Sequence, residues 1–254
     1  MELPSSDRTL SVVMPCYNEE NTLRSIVAAV LAQPEVGELL IVDDASSDAT
    51  PEILASLDDP RIRVFTQPEN AGKGAAIRRG FTEAQFEFVI VQDADLEYDP
   101  REYPKLLQPL LEGSADVVYG SRFLGTGMRR VLYFWHTVGN RIITLGSNMF
   151  TNLNLTDIET CYKVFRREIL HQFTIEENRF GVEPEITAKL AALHVRVFEV
   201  GVSYRGRTYA EGKKIGWRDG VRAFFCIAAY SPLGERFGMK RLSPHIARLT
   251  RGRA

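Results

Sequence analysis

The chain has 254 residues, of which 44% are hydrophobic and 25% charged, and its formal net charge is -2. This length and composition are typical of one large α/β domain, or two small ones, with a well-buried core. A net charge so close to zero creates no overall field that would attract polyanions, so nucleic-acid binding is not expected. No sequence window reaches the roughly 18 uninterrupted apolar residues of a membrane-spanning helix.

The N-terminus and the cysteines suggest a cellular compartment. The first ten residues, MELPSSDRTL, lack the basic and apolar regions of a signal peptide. The cysteines, Cys16, Cys161 and Cys226, are widely spaced and form no CxxC pair, which argues against a disulfide framework or a zinc site. We therefore expect a reducing, cytoplasmic environment, with Cys16 and Cys161 as small core residues.

In the first half of the chain, short β-rich segments alternate with helical ones. Strands are predicted over 10–15, 37–46, 62–67, 86–95 and 115–122, and helices over 19–32, 49–57, 75–84 and 101–111. Such alternation predicts an α/β fold in which helices cover both faces of a mostly parallel sheet. Ligands of these sheets bind at the carboxyl ends of the strands.

Polar and small residues follow each of the first four predicted strands and should meet at one edge of the sheet. They are Pro15, Tyr17, Asn18 and Glu19, then Asp43 and Asp44, then Asn70, Gly72, Lys73 and Gly74, and finally Asp93 and Asp95. Strand ends are often polar simply because loops are solvated. Paired aspartates in two of the four loops nevertheless favour a ligand site at this edge.

The segment QDADLEYDP, residues 92–100, carries several carboxylates directly after an apolar run. Residues two apart in an extended segment point the same way, so Asp93 and Asp95 could face one point. Mg²⁺ or Mn²⁺, bound jointly by carboxylates and substrate phosphates, would neutralise them, and Glu97 is a candidate third ligand. A D-x-D pattern is common by chance, but its position after a buried strand supports the metal hypothesis.

Two other loops suggest a nucleotide ligand. Asp43 and Asp44 could accept hydrogen bonds from base N–H groups and ribose hydroxyls. Lys73 stands between two glycines ahead of a predicted helix, whose N-terminal N–H groups would add donors for phosphate or base. The Walker spacing is missing, as is G-x-G-x-x-G at the first turn, which counts against a dinucleotide-binding dehydrogenase.

Five segments, in this order and spacing, resemble the inverting glycosyltransferases of family 2, which have a GT-A fold: VVMPCYNEENTL, IVDDASSDAT, NAGKGAAIRRG, QDADLEYDP and YGSRF. Within that family the chain is most similar to polyprenyl-phosphate sugar transferases of the dolichyl-phosphate mannose or glucose synthase type. TDIETCYKVFRREI and EGKKIGWRDG also resemble later motifs of bacterial and archaeal members.

The resemblance implies a GDP- or UDP-sugar donor and a divalent cation, Mg²⁺ or Mn²⁺. The donor-binding candidates are Pro15, Tyr17, Asn18, Glu19, Asp43, Asp44, Gly72, Lys73, Asp93 and Ala94. The candidate metal ligands are Asp93, Asp95 and Glu97. C-terminal helices, some of them amphipathic, are implied on the acceptor side of the mostly parallel sheet.

The resemblance also implies that a lipid phosphate attacks the anomeric carbon with inversion. Because a phosphate oxygen is already anionic, its positioning by cations should matter more than a general base. The candidates for this positioning are Arg122, Arg130 or its neighbour Arg129, Arg205, Arg207, Lys213 and Lys214. The catalytic candidates are Asp95, Arg122, Asp157 and Glu159; it stays open which of the last two acts, and either could instead cap a following helix.

Segments 131–150 and 221–230 mix aromatic and aliphatic residues with basic flanks, as an interfacial helix requires. We therefore predict a catalytic domain over 1–220, an amphipathic, basic tail over 221–254, and peripheral attachment to the cytoplasmic face of the membrane. A homodimer interface is the alternative role for these helices.

Alternative functions are transfer to a soluble or protein acceptor and a non-catalytic module that binds nucleotide sugars. A nucleotidyltransferase is disfavoured, since MPCYNEENT is not a Gly-rich loop ending in Arg and Lys.

Overall fold

The protein is described here from a computed structural model, which describes residues 9–125, 130–131, 133–207 and 217–238. Within these residues, one seven-stranded sheet forms the centre of the fold. Its strands are β1 Leu10–Cys16, β2 Val36–Asp43, β3 Ile62–Thr66, β4 Phe88–Val91, β5 Val117–Ser121, β6 Lys163–Arg166 and β7 Val197–Gly201. The prediction of an α/β fold with a mostly parallel sheet is confirmed.

The strand order is β3-β2-β1-β4-β6-β5-β7. Neighbouring strands are parallel except for β6, which runs antiparallel to both β4 and β5. The order of connection reverses between β1 and β4, and in open α/β sheets this switch point is where ligands bind. The carboxyl ends of β1 and β4 therefore mark the expected site.

The helices are α1 Leu23–Leu31, α2 Thr50–Ala55, α3 Lys73–Glu83, α4 Tyr103–Leu111, α5 Phe134–Thr151, α6 Arg167–Leu170, α7 Val182–Ala192, α8 Trp217–Tyr230 and α9 Pro232–Arg236. No helix in the described ranges is both long enough and apolar enough to cross a membrane. The strands β1 and β4 are buried on both faces, as expected for a sheet that helices cover on both sides.

All five predicted strands and four predicted helices are present, with shifted ends. Helix α1 begins at Leu23 rather than at residue 19. Before it, the backbone N–H groups of Asn18 and Glu19 donate to the side chains of Ser46 and of Thr50, the first residue of α2. Strand β4 ends at Val91, so the D-x-D segment lies in a turn and not in extended chain. The elements β6, α7 and β7 are not among those predicted from the sequence.

Helix α8 crosses residue 220, where the sequence analysis divides the catalytic domain from the tail. This helix packs against α5 and α7, and a Cβ on Gly146 of α5 would lie 2.9 Å from the ring of Phe224. The first residues of the predicted tail therefore belong to a packed helix, and the division at residue 220 stays a prediction. Residues 239–254 lie outside the described part of the chain.

Candidate active site

The loop that carries Lys73 is held by Asp44 at the end of β2. One carboxylate oxygen of Asp44 accepts from the Ala71 backbone N–H at 2.9 Å and from Gln67, and the other accepts from the Gly72 N–H at 2.7 Å. Both oxygens are thus used by the protein, and the side chain is buried. Asp44 therefore holds this loop in place, and its direct contact with a nucleotide stays a prediction.

Asp43 is also buried and accepts hydrogen bonds from the backbone and hydroxyl of Ser46, the latter at 2.5 Å. Gly72 has a φ of +102°, a left-handed value that favours glycine. A Cβ on Gly72 or Gly74 would lie 2.4 Å or 2.1 Å from the carbonyl oxygens of Asn178 and Glu177, respectively. The start of α3 is therefore wedged tightly against residues 177–178.

Lys73 and Asp93 form the first charged pair at the switch point. The Lys73 Nζ lies 2.9 Å from the carboxylate of Asp93 and 3.4 Å from Oε1 of Glu183. Burial acts to lower the pKa of Lys73, but Asp93 and Glu183 outweigh it and hold the pKa well above its ordinary value. Lys73 therefore remains charged at this edge of the sheet.

Arg207 forms a second cluster with three carboxylates. Its guanidinium lies 2.7 Å from Asp95, 3.4 Å from Glu19 and 3.6 Å from Glu97. Glu97 also accepts from the Tyr204 hydroxyl at 2.9 Å and from the Arg207 backbone at 2.6 Å. Burial, followed by the charges of Asp93 and Glu97, raises the pKa of Asp95 to about 7, against the lowering effect of Arg207.

These contacts decide how a metal could be held. In the part of the chain that the structure describes, no group of three or more His, Cys, Asp or Glu side chains is arranged to hold a metal ion. The three-carboxylate set of Asp93, Asp95 and Glu97 is not assembled there, because the turn after β4 directs Asp93 to Lys73 and Asp95 to Arg207.

The residues nevertheless fit a divalent cation that binds together with a diphosphate. In their ionised forms, the three carboxylates around Arg207 leave a surplus of two negative charges, counted over Glu19, Asp95, Glu97 and the guanidinium. Mg²⁺ commonly binds through one or two carboxylates and completes its shell with phosphate oxygens. Asp93 and Asp95 supply such a pair of hard oxygen ligands.

Arg122 and Asp157 form a third pair beside the second cluster. The guanidinium donates to both carboxylate oxygens of Asp157 at 2.7 Å, and the Arg122 backbone N–H adds a bond of 3.0 Å. Burial acts to lower the pKa of Arg122, but Asp157 outweighs it and holds that pKa well above its ordinary value. Asp157 does not cap a helix, because the next regular element is the strand β6.

Glu159 differs from Asp157 in how its carboxyl group is satisfied. Its Oε1 is buried and has no hydrogen-bond partner among the described residues. Burial and the nearby Glu183 raise the pKa of Glu159 to about 7, against the lowering effect of Lys163 and Arg122. Of the two acids left open by the sequence, Asp157 is occupied by Arg122 and Glu159 has the unsatisfied oxygen.

The remaining donor-site candidates lie at the same edge but mostly shape it. The Asn18 side chain accepts from the Ser47 backbone at 2.8 Å, and the Ala94 carbonyl accepts from the Thr22 hydroxyl at 2.7 Å. Pro15 belongs to β1, and Tyr17 is exposed just beyond that strand.

The acceptor-side candidates are partly described. Arg205 is exposed, and its backbone donates to the Glu97 carbonyl. Arg130 is also exposed, and its guanidinium donates to the Gly206 carbonyl at 3.3 Å. Arg129, Lys213 and Lys214 lie outside the described residues.

Three residues that support the site are not predicted from the sequence: Glu183, Tyr204 and Lys163. Glu183 contacts Lys73, and Tyr204 contacts Glu97. Lys163 is a fully buried lysine on β6, within the apolar run CYKVF. A lysine inside a buried strand needs a paired anion, so this run was the signal that could have indicated an internal charge network.

The model of the family described as Glycosyl transferase family 2 matches residues 11–174. The chain belongs to this glycosyltransferase family. The resemblance of the five sequence motifs is thereby confirmed, and so is the expectation that the protein is a glycosyltransferase.

Two relatives of similar length are an undecaprenyl-phosphate mannosyltransferase and a polyprenol monophosphomannose synthase. The former, from Micrococcus luteus, is 30% identical over 220 residues, covering 82% of this chain and 88% of the relative. The latter, from Mycolicibacterium smegmatis, is 29% identical over 241 residues, covering 91% and 89%. The low-salt glycan biosynthesis hexosyltransferase Agl6 of Haloferax volcanii is 30% identical over 217 residues, but the chain spans only 52% of its length.

Solved structures show the same fold at lower identity. Glucosyl-3-phosphoglycerate synthase from Mycobacterium tuberculosis, in complex with Mn²⁺, UDP and phosphoglyceric acid, has a TM-score of 0.65 and 22% identity, covering 89% of this chain and 79% of that one. The same enzyme with Mg²⁺ and UDP also has a TM-score of 0.65 and 22% identity, covering 89% and 80%. The predicted GT-A fold of this family 2 glycosyltransferase is confirmed.

Proposed function

We propose that this glycosyltransferase transfers a hexose from a GDP- or UDP-sugar to a polyprenyl phosphate, with inversion at the anomeric carbon. The observation that carries the proposal is the placement of Asp93 and Asp95 at the switch point. Each of them is paired with a different basic side chain, Asp93 with Lys73 and Asp95 with Arg207. Two relatives that match most of this chain are named for sugar transfer to undecaprenyl phosphate or polyprenol.

In this proposal, the donor lies across the carboxyl ends of β1, β2 and β4. Lys73 and the backbone N–H groups at the start of α3 bind its diphosphate, and Asp43 faces the nucleoside. A divalent cation held by Asp93 and Asp95 would neutralise charge on the leaving nucleoside diphosphate. Tyr17 and Glu19 border the same edge.

The acceptor phosphate approaches from the side of Arg122, Arg205 and Arg207. One of its oxygens forms a bond to the anomeric carbon while the bond from that carbon to the donor diphosphate breaks. The attacking oxygen is already anionic, so no proton needs to be removed, and the arginines orient the acceptor. Glu159, with its unsatisfied oxygen, is the acid that contacts the sugar or the acceptor.

A lipid acceptor requires contact with a membrane, and α5 presents an apolar surface for it. Phe134, Trp135 and Met149 are 69%, 76% and 70% exposed, and Phe237 after α9 is 72% exposed. We propose that this apolar face lies in the interface of the cytoplasmic leaflet. Cosedimentation with anionic liposomes tests the proposal: Trp135→Ala should reduce the bound fraction, and wild-type protein that stays wholly in the supernatant would contradict membrane attachment.

The transfer reaction is tested in two steps. Calorimetric titration with GDP and with UDP, each with and without Mn²⁺, should show metal-dependent binding of one nucleotide. The matching nucleotide sugars are then offered with polyprenyl phosphate, and separately with soluble phosphate-bearing acceptors. A phosphosugar formed only with the lipid supports the proposal, whereas transfer only to a soluble acceptor, or binding without turnover, would replace it.

A further inference from the structure

Four charged side chains form a continuous line from the protein interior to the donor edge. Lys163 Nζ lies 2.5 Å from Oε2 of Glu183, Oε1 of Glu183 lies 3.4 Å from Lys73 Nζ, and Lys73 lies 2.9 Å from Asp93. We call these residues the charge chain. Their signs alternate, so each inner member attracts both of its neighbours.

The inner end of the charge chain cannot move easily. Lys163 is fully buried, and its ammonium also donates to the carbonyl oxygens of Ile158 and Thr160. With Glu183 these partners use all three ammonium donors. Because any other orientation would leave a buried charge without its partners, Lys163 fixes one oxygen of Glu183.

Glu183 therefore turns its second oxygen towards Lys73. This Oε1 is buried and has no hydrogen-bond partner among the described residues, and its contact with Lys73 at 3.4 Å is electrostatic. Lys73 lies between two carboxylates, Glu183 on the inner side and Asp93 at the edge. A long, flexible ammonium side chain is thereby restricted to one region of the site.

We propose that Glu183 is a positioning residue that holds Lys73 in place for the donor diphosphate. The inference rests on the proposed donor site, since it assumes that Lys73 meets a phosphate there. It adds a role for α7, which carries Glu183 and lies outside the first four strand-end loops. Glu183 itself is only 8% exposed and acts through Lys73.

The variant Glu183→Gln tests this role because it keeps the size of the side chain and removes its charge. We expect the Kd for the Mn²⁺ complex of the preferred nucleoside diphosphate to rise on the order of tenfold, as for other residues that orient a binding group. The Kd for the corresponding nucleoside monophosphate, and the KM for the acceptor, should change much less. Circular dichroism and thermal unfolding verify that the variant is folded.

Glu38→Gln is the matched control. Glu38 is similarly buried and paired with an arginine, Arg63, but it lies near the start of β2, at the opposite end of the sheet from the site. This variant should lose stability without a selective loss of diphosphate binding. If Glu183→Gln does not fold, Glu183→Asp keeps the charge but, one methylene shorter, cannot contact both lysines, and the same change in Kd is expected.

The possible results separate this inference from the proposed function. If a folded Glu183 variant binds the nucleoside diphosphate with the same Kd as the wild-type protein, the positioning role alone is overturned. An equal rise in Kd in the Glu183 and Glu38 variants would show general destabilisation and overturn it as well. Failure of the wild-type protein to bind any nucleoside diphosphate would overturn the donor site, and the positioning role with it.

Discussion

Oδ2 of Asp95 lies 2.7 Å from a terminal guanidinium nitrogen of Arg207. The arginine thus partly neutralises the carboxylates at the edge where a divalent cation and a diphosphate are proposed to bind. Glu19 and Glu97 also lie next to this guanidinium, so the single positive charge of Arg207 is shared among three carboxylates.

Asp95→Ala should reduce turnover by about a hundredfold or more, since it removes a ligand for the cation that neutralises the leaving group. Metal-dependent nucleotide binding, measured by calorimetry, should weaken while the far-ultraviolet circular dichroism spectrum is unchanged. Asp59→Ala is the control, because Asp59 pairs with Arg61 outside the site. Near-normal turnover of the Asp95 variant would refute the metal assignment.

Arg205→Ala should raise the KM for the lipid acceptor more than the KM for the donor. The Arg205 side chain is exposed, and only its backbone is tied to Glu97, so the substitution removes a cation without disturbing the carboxylate cluster. Steady-state kinetics with each substrate varied in turn measure the effect. An unchanged acceptor KM would remove Arg205 from the acceptor site.

Glu159→Gln should change how stability depends on pH. The pKa of Glu159 is raised from 4.5 to about 7 in the folded protein, so folding favours its protonated form. The free energy of unfolding therefore falls as pH rises from about 4.5 to 7, and above pH 7 it stays lowered by the full cost of ionising buried Glu159. Glutamine mimics the protonated form, so the variant should be more stable than wild type by roughly 1 to 3 kcal/mol at pH 8.

Denaturant unfolding at pH 5 and at pH 8 measures this difference. Little change is expected at pH 5, where wild-type Glu159 is already protonated in the folded state. A variant with the same stability difference from wild type at both pH values would contradict the raised pKa.

Gly74→Ala should destabilise the protein by about 1 to 3 kcal/mol, because the new Cβ would lie 2.1 Å from the backbone carbonyl oxygen of Glu177. Denaturant unfolding measures the loss, and nucleotide binding should weaken with it. Gly139→Ala is the control, since Gly139 lies within α5 with nothing within 4 Å of an added Cβ. That helix substitution should be neutral or stabilising by up to about 1 kcal/mol.

Sequence patterns alone predict the alternation of β1 to β5 with α1 to α4, the edge where the polar loops meet, and membership of the family. Those features depend on local hydrophobic periodicity and on motifs read along the chain. The insertion of β6 antiparallel between β4 and β5 depends on long-range packing, because local periodicity does not specify which strands become neighbours in a sheet.

The partners of the charges were likewise decided by the tertiary structure. The sequence predicts one set of three metal ligands, Asp93, Asp95 and Glu97, but the turn after β4 pairs Asp93 with Lys73 and Asp95 with Arg207. Glu183 on α7 contacts Lys73 on α3, although the two residues are far apart in the sequence. Local hydrophobic periodicity specifies which side chains are buried. Long-range packing decides which charged side chains become neighbours, and the periodicity of the sequence contains no information about those pairs.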